Sequence, residues 1–190
     1  STAKNTAFGG ARGGGKSWAV RWKSTLLSLS YAGIKCMIVR RSYPELMQNH
    51  IEPMRQMIPK KVAKYNDSKK ELRFRNGSVI LFRYCEGKKD MDRYQGTEVD
   101  VLFIDEATQL EEEVYQMFRA CVRGVNNFPK RIYLTCNPGG RGHAWVKRLF
   151  VDGAFKEGED PSEYAPLIQA LVTDNKALMD TQPDYLKQLD

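Results

Sequence analysis

Residues 10–17 read Gly-Ala-Arg-Gly-Gly-Gly-Lys-Ser, a complete G-x-x-x-x-G-K-[ST] string, and no other stretch narrows the fold of this chain so far. Glycines let a backbone wrap tightly enough for several N–H groups to face one anion. A helix that follows such a loop adds the positive end of its dipole. The string therefore reads as a cradle for nucleotide phosphates, built from Gly10, Ala11, Arg12, Gly13, Gly14 and Gly15. Lys16 would reach the β- and γ-phosphates, and Ser17 would set its hydroxyl on Mg²⁺. Thr6-Ala7-Phe8 ends a short strand before the loop, and a helical pattern follows it. The bland alternative is a structural glycine-rich turn, which the rest of the chain disfavours.

Val101-Leu-Phe-Ile is an apolar run that ends in two adjacent carboxylates, Asp105 and Glu106. Such a run reads as a buried strand of a parallel sheet, and ligands of open α/β sheets sit at the carboxyl ends of strands. A phosphate-loop enzyme needs one carboxylate for its metal shell and another to orient or deprotonate water. Asp105 suits the first task and Glu106 the second. The alternative is an acidic helix start, which is the reading given to Glu111-Glu-Glu113. A third apolar run, Arg131 to Cys136, enters Asn137-Pro-Gly-Gly140. Pro138 and the glycines end that strand, so Thr135 and Asn137 fall near the γ-phosphate. Alone, this would be an ordinary Asn-Pro turn.

Strands and helices alternate along 190 residues, enough for one sizeable core. Ala19, Trp22, Leu26 and Leu29 recur at helical spacing up to Gly33, and Cys36 to Val39 form the next strand. Residues 43–58 read as a helix begun by Pro44 and kinked or split at Pro53. Residues 71–84 read as a hairpin, with Asn76-Gly77 in a type I′ turn. Val114, Phe118 and Cys121 mark a further helix. Residues 152–165, rich in Gly, Asp, Glu and Pro, read as a linker or mobile loop, which divides the chain into 1–151 and 152–190. The four cysteines lack C-x-x-C spacing and read as reduced core residues. The two histidines make a histidine-based metal site implausible. No apolar run approaches the ~20 residues of a membrane span. The formal net charge of +7 favours nucleic acid, although a solvated surface accounts for it as well.

These motifs together resemble the ATPase domain of the large terminase subunit of tailed bacteriophages. The match rests on Gly9 to Ser17, on Phe103-Ile-Asp-Glu-Ala107, and on Leu134-Thr-Cys-Asn-Pro138, which looks like the family's coupling motif. Val39-Arg-Arg-Ser42, Arg93-Tyr-Gln-Gly96, Val172-Thr-Asp-Asn175 and Tyr185-Leu-Lys-Gln-Leu189 also look like the family. The resemblance implies a P-loop NTPase of the additional-strand catalytic-glutamate type: α/β, with a mostly parallel sheet flanked by helices and an added hairpin. It implies Mg²⁺-dependent ATP hydrolysis that drives double-stranded DNA into a procapsid. Implied partners are the portal, the small terminase subunit and a homo-oligomeric ring, in the host cytoplasm, with a monomer in isolation. The family's nuclease would be absent from a chain ending at Asp190, and an adenine-contacting segment upstream of the loop would be missing or reduced.

Two arginines are candidates to neutralise transition-state charge. Arg12 would act in cis and Arg93 in trans on a neighbouring subunit; the bland reading of Arg93 is a surface pair with Asp90 or Asp92. A motor must hold phosphates without reading bases. Arg73, Arg75 and Arg83, on the hairpin strands, are the candidates, with Arg141, His143 and Lys147 as weaker ones; an ordinary solvated strand face would look the same. Two other readings stay open: a helicase-like or other P-loop translocase, and a nucleotide-binding module inactive in isolation.

Overall fold

In this computed structural model, which describes residues 2–10 and 13–181, the apolar runs become strands. They are β1 (Asn5–Gly10), β2 (Lys35–Arg40), β3 (Ala63–Asn66), β4 (Glu71–Phe74), β5 (Val79–Tyr84), β6 (Val101–Ile104), β7 (Arg131–Cys136) and β8 (Ile168–Ala170). They form one sheet in the order β3-β4-β5-β2-β6-β7-β1-β8, parallel from β5 to β8 and antiparallel across β3-β4-β5. The strand that enters the phosphate loop, β1, is thus separated by one additional strand, β7, from β6, which delivers Asp105 and Glu106. Side chains alternate between the two faces of the pleat. Cys36, Ile38, Val101 and Phe103 pack on one face, and Met37, Val39, Leu102 and Ile104 on the other.

Helix α1 (Lys16–Ser30) follows the loop as expected, but its apolar stripe does not face the sheet. Val20, Ser24, Thr25 and Ser28 are buried, whereas Trp18, Trp22, Leu26 and Leu29 are exposed. Periodicity identifies the helix; the buried face is set by small side chains that let α1 lie close to β2 and β5.

The helical stretch from residue 43 is wound through rather than split at Pro53. It runs as α2 (Tyr43–Leu46), a π-helical segment (Met47–Ile51) and α3 (Glu52–Met57). Pro53 has no N–H to give the carbonyl four residues back. Arg21 of α1 donates to that carbonyl, on Asn49, at 2.5 Å. The wider turn carries His50 and Ile51 into the core, both fully buried.

The hairpin at Asn76-Gly77 is present with a different turn. Type I′ needs positive φ at both central residues, but only Gly77 has it, at 85°. Phe74 N–H donates to the Ser78 carbonyl at 2.9 Å across a three-residue loop. Asn76 instead uses its side chain, donating to the Ser28 carbonyl at 2.8 Å and accepting from Ser78 N–H at 3.1 Å. Strand β3, unanticipated, extends the hairpin by pairing with β4.

Helix α4 (Glu112–Ala120) starts on the acidic triplet as expected, and α5 (His143–Val146) starts at His143. Residues 152–165 carry little regular structure, yet they are tied down rather than free to act as a linker. Arg148 pairs with Glu159 at 2.7 Å, Arg119 pairs with Glu163, and Tyr164 bridges to Asn5. β8 beyond them completes the sheet, so its edge lies past residue 151. Helix α6 (Lys176–Thr181) ends the described chain. All four cysteines are free and buried. Among the described residues no helix is long and apolar enough to cross a membrane.

Candidate functional site

The carboxyl ends of β1, β6 and β7 converge, and each delivers part of one site. From β1, the chain turns through Gly13 (φ 82°) and Gly15 (φ 70°), both left-handed, conformations that glycine adopts without steric cost. Gly10 tolerates no side chain, because a Cβ there would lie 2.2 Å from the Ala170 carbonyl oxygen of β8. Ala11 and Arg12 lie outside the described residues. Lys16 is buried at the first turn of α1, and burial lowers its pKa against the opposing pull of Glu106.

From β6, Asp105 is fully buried and heavily bonded. Its Oδ2 accepts from the Ser17 hydroxyl at 2.9 Å and faces His50 Nε2 at 2.8 Å and Arg40 Nε at 3.6 Å. Its Oδ1 accepts from the Thr135 hydroxyl. Burial opposes the charge, but the His50 bond, Arg40 and Thr135 outweigh it and hold the carboxyl well below the ordinary carboxylate range. Glu106 differs: burial first, then the neighbouring Asp105, push its pKa up, against Arg40, Asn137 and Lys16. Two adjacent carboxylates are thus driven apart, one fixed as an anion and one made more basic, the arrangement a general base needs.

Glu106 has a left-handed backbone (φ 59°, ψ 50°), uncommon for a residue with a Cβ and a feature that gathers at functional sites. Thr135 supports it by accepting from the Glu106 N–H at 3.0 Å. Asn137 Nδ2 reaches both Glu106 carboxylate oxygens, at 2.6 and 2.8 Å. Expected beside the γ-phosphate, Thr135 and Asn137 thus engage the two carboxylates in this structure.

A cleft of about 480 Å³ opens over the loop, lined by Gly13, Gly14, Gly15, Lys16, Ser17, Glu106 and Asn137. Trp18, Asn175 and Leu178 complete its lining; none was singled out as a site residue from the sequence. Asn175 donates to the Gly13 carbonyl at 2.7 Å. Arg40 and His50 were missed as well, because their partner Asp105 lies far away in the chain. The available signals were weak: Arg40 and Asn175 each belong to a short string noted for its likeness to the family. Ser17 and Asp105 offer adjacent oxygen donors suited to a hard cation. Among the described residues there is no cluster of three or more His, Cys, Asp or Glu fit for a metal.

The other candidates lie outside this cleft. Arg93 is exposed on a 3₁₀ segment (Lys88–Tyr94), paired with Asp90 at 3.1 Å and resting against Tyr84. Arg73 and Arg75 are exposed on the polar side of the hairpin. They line a basic hollow with Lys60 and Lys64. Lys64 stands directly opposite Arg73, whose Nε pairs with the buried Glu71 at 2.6 Å and so offsets the like-charge placement. Arg83 departs from the set: it donates to the carbonyls of Lys69, Lys70 and Phe82, at 3.2, 3.0 and 2.7 Å, and staples a turn instead of facing outward.

The family model described as phage terminase large subunit matches residues 3–188. No curated protein matches the chain. Among solved structures, the large terminase of a thermophilic bacteriophage superposes with a TM-score of 0.78 at 15% identity, over 98% of this chain and 45% of that one. That protein has also been solved with ATP-γ-S and with ADP. The HK97 bacteriophage large terminase gives 0.60 at 14% identity, over 96% and 40%. The N-terminal domain of the DNA packaging ATPase from bacteriophage phi29 gives 0.55 at 13% identity, over 90% and 92%. The chain therefore spans under half the length of the first of these structures.

Proposed function

The chain belongs to the phage terminase large subunit family, and we propose that it is the ATP-hydrolysing unit of a motor that drives double-stranded viral DNA into a procapsid. One observation carries the reading: Asp105 is bonded to Ser17 of the loop while Glu106, beside it, faces the cleft that Lys16 lines. ATP is the nucleotide, in keeping with the complexes of the thermophilic phage relative. Ser17 and Asp105 would hold Mg²⁺, which would supply positive charge to offset that of the phosphates.

The chain's own residues do the rest. Backbone N–H groups of residues 13–17 and the Lys16 ammonium bind the phosphates. Glu106, made more basic by burial and by Asp105, orients a water and accepts its proton in line with the γ-phosphate. Thr135 keeps Asp105 and Glu106 in register, and Asn137 exchanges the Glu106 carboxylate for the γ-phosphate as nucleotide enters. Arg12 in cis or Arg93 in trans supplies the additional cation. The exposed cations Arg73 and Arg75, with Lys60 and Lys64, grip the DNA backbone. The assembled form is a ring on a portal, served by a small terminase subunit, in the host cytoplasm at the procapsid. The ATPase unit takes in residues 1–151 together with β8, which completes its sheet.

Steady-state ATP hydrolysis with Lys16→Ala and Glu106→Gln tests the assignment. Lys16→Ala should lose nucleotide binding. Glu106→Gln should bind ATP normally and lose roughly 10²- to 10⁴-fold in turnover, the range for a general base. Full turnover in Glu106→Gln would refute the assignment.

A further inference from the structure

Trp18 directly follows the last residue of the phosphate loop, on the first turn of α1, and is 58% exposed. The indole meets Trp22 on one side, and the rest of its apolar surface is open to solvent at the mouth of the cleft. Trp18 lines the same cleft as the loop, and Leu178 of α6 lines it too. Leu178 is held there through a short chain of bonds. Asn175 donates to the Gly13 carbonyl at 2.7 Å, and the Leu178 N–H donates back to the Asn175 carbonyl at 3.0 Å. Loop, indole and aliphatic wall are therefore one unit.

A phosphate chain on this loop leaves its ribose and base to emerge beside the first turn of α1. Each helical residue rises only about 1.5 Å, so the Trp18 indole stays within reach of a base attached to those phosphates. We propose that Trp18 and Leu178 form a purine-base subsite, with the indole as stacking platform and Leu178 as the opposing apolar wall. The subsite rests on the ATP reading of the loop. It uses no base-edge hydrogen bond, so it holds adenine by its face and discriminates weakly between purines. It also makes base binding depend on α6, because Asn175 is the link between α6 and the loop.

A competing use of Trp18 is visible on the same helix. Trp22 lies 5.8 Å from it, ring centre to ring centre, and continues the exposed stripe towards Leu26 and Leu29. A stripe that packs against protein would involve both tryptophans; a base subsite involves only the one in the cleft.

The test measures Mg²⁺-dependent binding of ATP and of inorganic tripolyphosphate by calorimetry, for the unaltered chain, Trp18→Ala, Trp18→Phe and Trp22→Ala. Circular dichroism confirms that each variant folds. Trp18→Ala should weaken ATP roughly ten- to hundredfold, the range for loss of one base–aromatic stack, and leave tripolyphosphate unchanged. Trp18→Phe should recover most of the ATP affinity, and Trp22→Ala should match the unaltered chain. Equal weakening of ATP and tripolyphosphate by Trp18→Ala, no weakening of either, or equal losses from Trp18→Ala and Trp22→Ala would each overturn the subsite. An unaltered chain that binds neither probe would overturn the nucleotide reading and the subsite with it.

Discussion

The side-chain amide of Asn137 spans the carboxylate of Glu106, with Nδ2 at 2.6 Å from one oxygen and 2.8 Å from the other. The bond favours the charged form of a carboxyl that burial and Asp105 otherwise push towards protonation. Removing it should raise the Glu106 pKa further. The acid limb of the kcat/KM–pH profile, which reports the free enzyme, should therefore move to higher pH in Asn137→Ala, and further in Asn137→Asp, which adds a like charge. Activity lost at mildly acidic pH should return as the pH is raised. Acid limbs that coincide with that of the unaltered chain in both variants would show that Asn137 does not bear on this ionisation.

His50 should matter for stability as well as for chemistry. It is fully buried, and its Nε2 lies 2.8 Å from Asp105. A hydrogen bond to a buried charge is worth about 1.5–3 kcal/mol, and His50→Ala should lower the free energy of unfolding by that order in urea titrations at neutral pH. Asp105 has a folded pKa below its unfolded value of about 3.9. Its contribution is therefore fully present above that value and is lost as pH falls through the folded pKa. Without His50 the folded pKa rises, so the contribution shrinks, and whatever remains is lost at higher pH than in the unaltered chain. Equal stability across neutral and acidic pH would refute the role.

What the sequence discloses and what it hides divide along physical lines. The loop, the strand ending in Asp105-Glu106 and the coupling turn are local strings whose chemistry demands particular residues side by side, so they are legible. His50 is not, because its role arises only when a π-helical turn before Pro53 brings it to a carboxylate 55 residues away. The face of α1 is equally hidden: spacing places Trp22, Leu26 and Leu29 on one stripe, but only the packed sheet decides that Val20, Ser24 and Ser28 go inward. Arg83 alternates with its neighbours as an outward residue should, yet three carbonyls capture it. Asn76-Gly77 predicts a turn, and the contact of Asn76 with Ser28 accompanies a different type.

The hairpin arginines should separate in two assays. Arg73→Gln and Arg75→Gln each remove an exposed cation from the hollow shared with Lys60 and Lys64. Each should weaken DNA binding uniformly across sequences and lower the slope of log affinity against log salt by about 1. Arg83→Gln should leave that slope alone and cost stability, since the carbonyls of Lys69, Lys70 and Phe82 lose their donor. Fluorescence anisotropy over a salt series, beside thermal melts, reads both. Unchanged salt slopes for Arg73→Gln and Arg75→Gln would remove the hairpin from the DNA path.

Arg93 poses the sharpest separation of stability from function. Its pairing with Asp90 at 3.1 Å is a surface contact, with the arginine side chain 57% exposed, and solvent screening leaves such pairs little weight in stability. Arg93→Ala should melt within a few degrees of the unaltered chain. A cation supplied to a neighbour's phosphates, by contrast, is worth roughly 10³- to 10⁵-fold in turnover. Specific ATPase activity should therefore rise with protein concentration in the unaltered chain and stay near background in Arg93→Ala. Lys16→Ala, inactive alone, still carries Arg93. Mixing the two inactive variants should restore activity, because Lys16→Ala can present its arginine to the intact site of Arg93→Ala. Mixtures that stay inactive, with activity of the unaltered chain independent of concentration, would place the catalytic cation within the chain and leave Arg12 as the candidate.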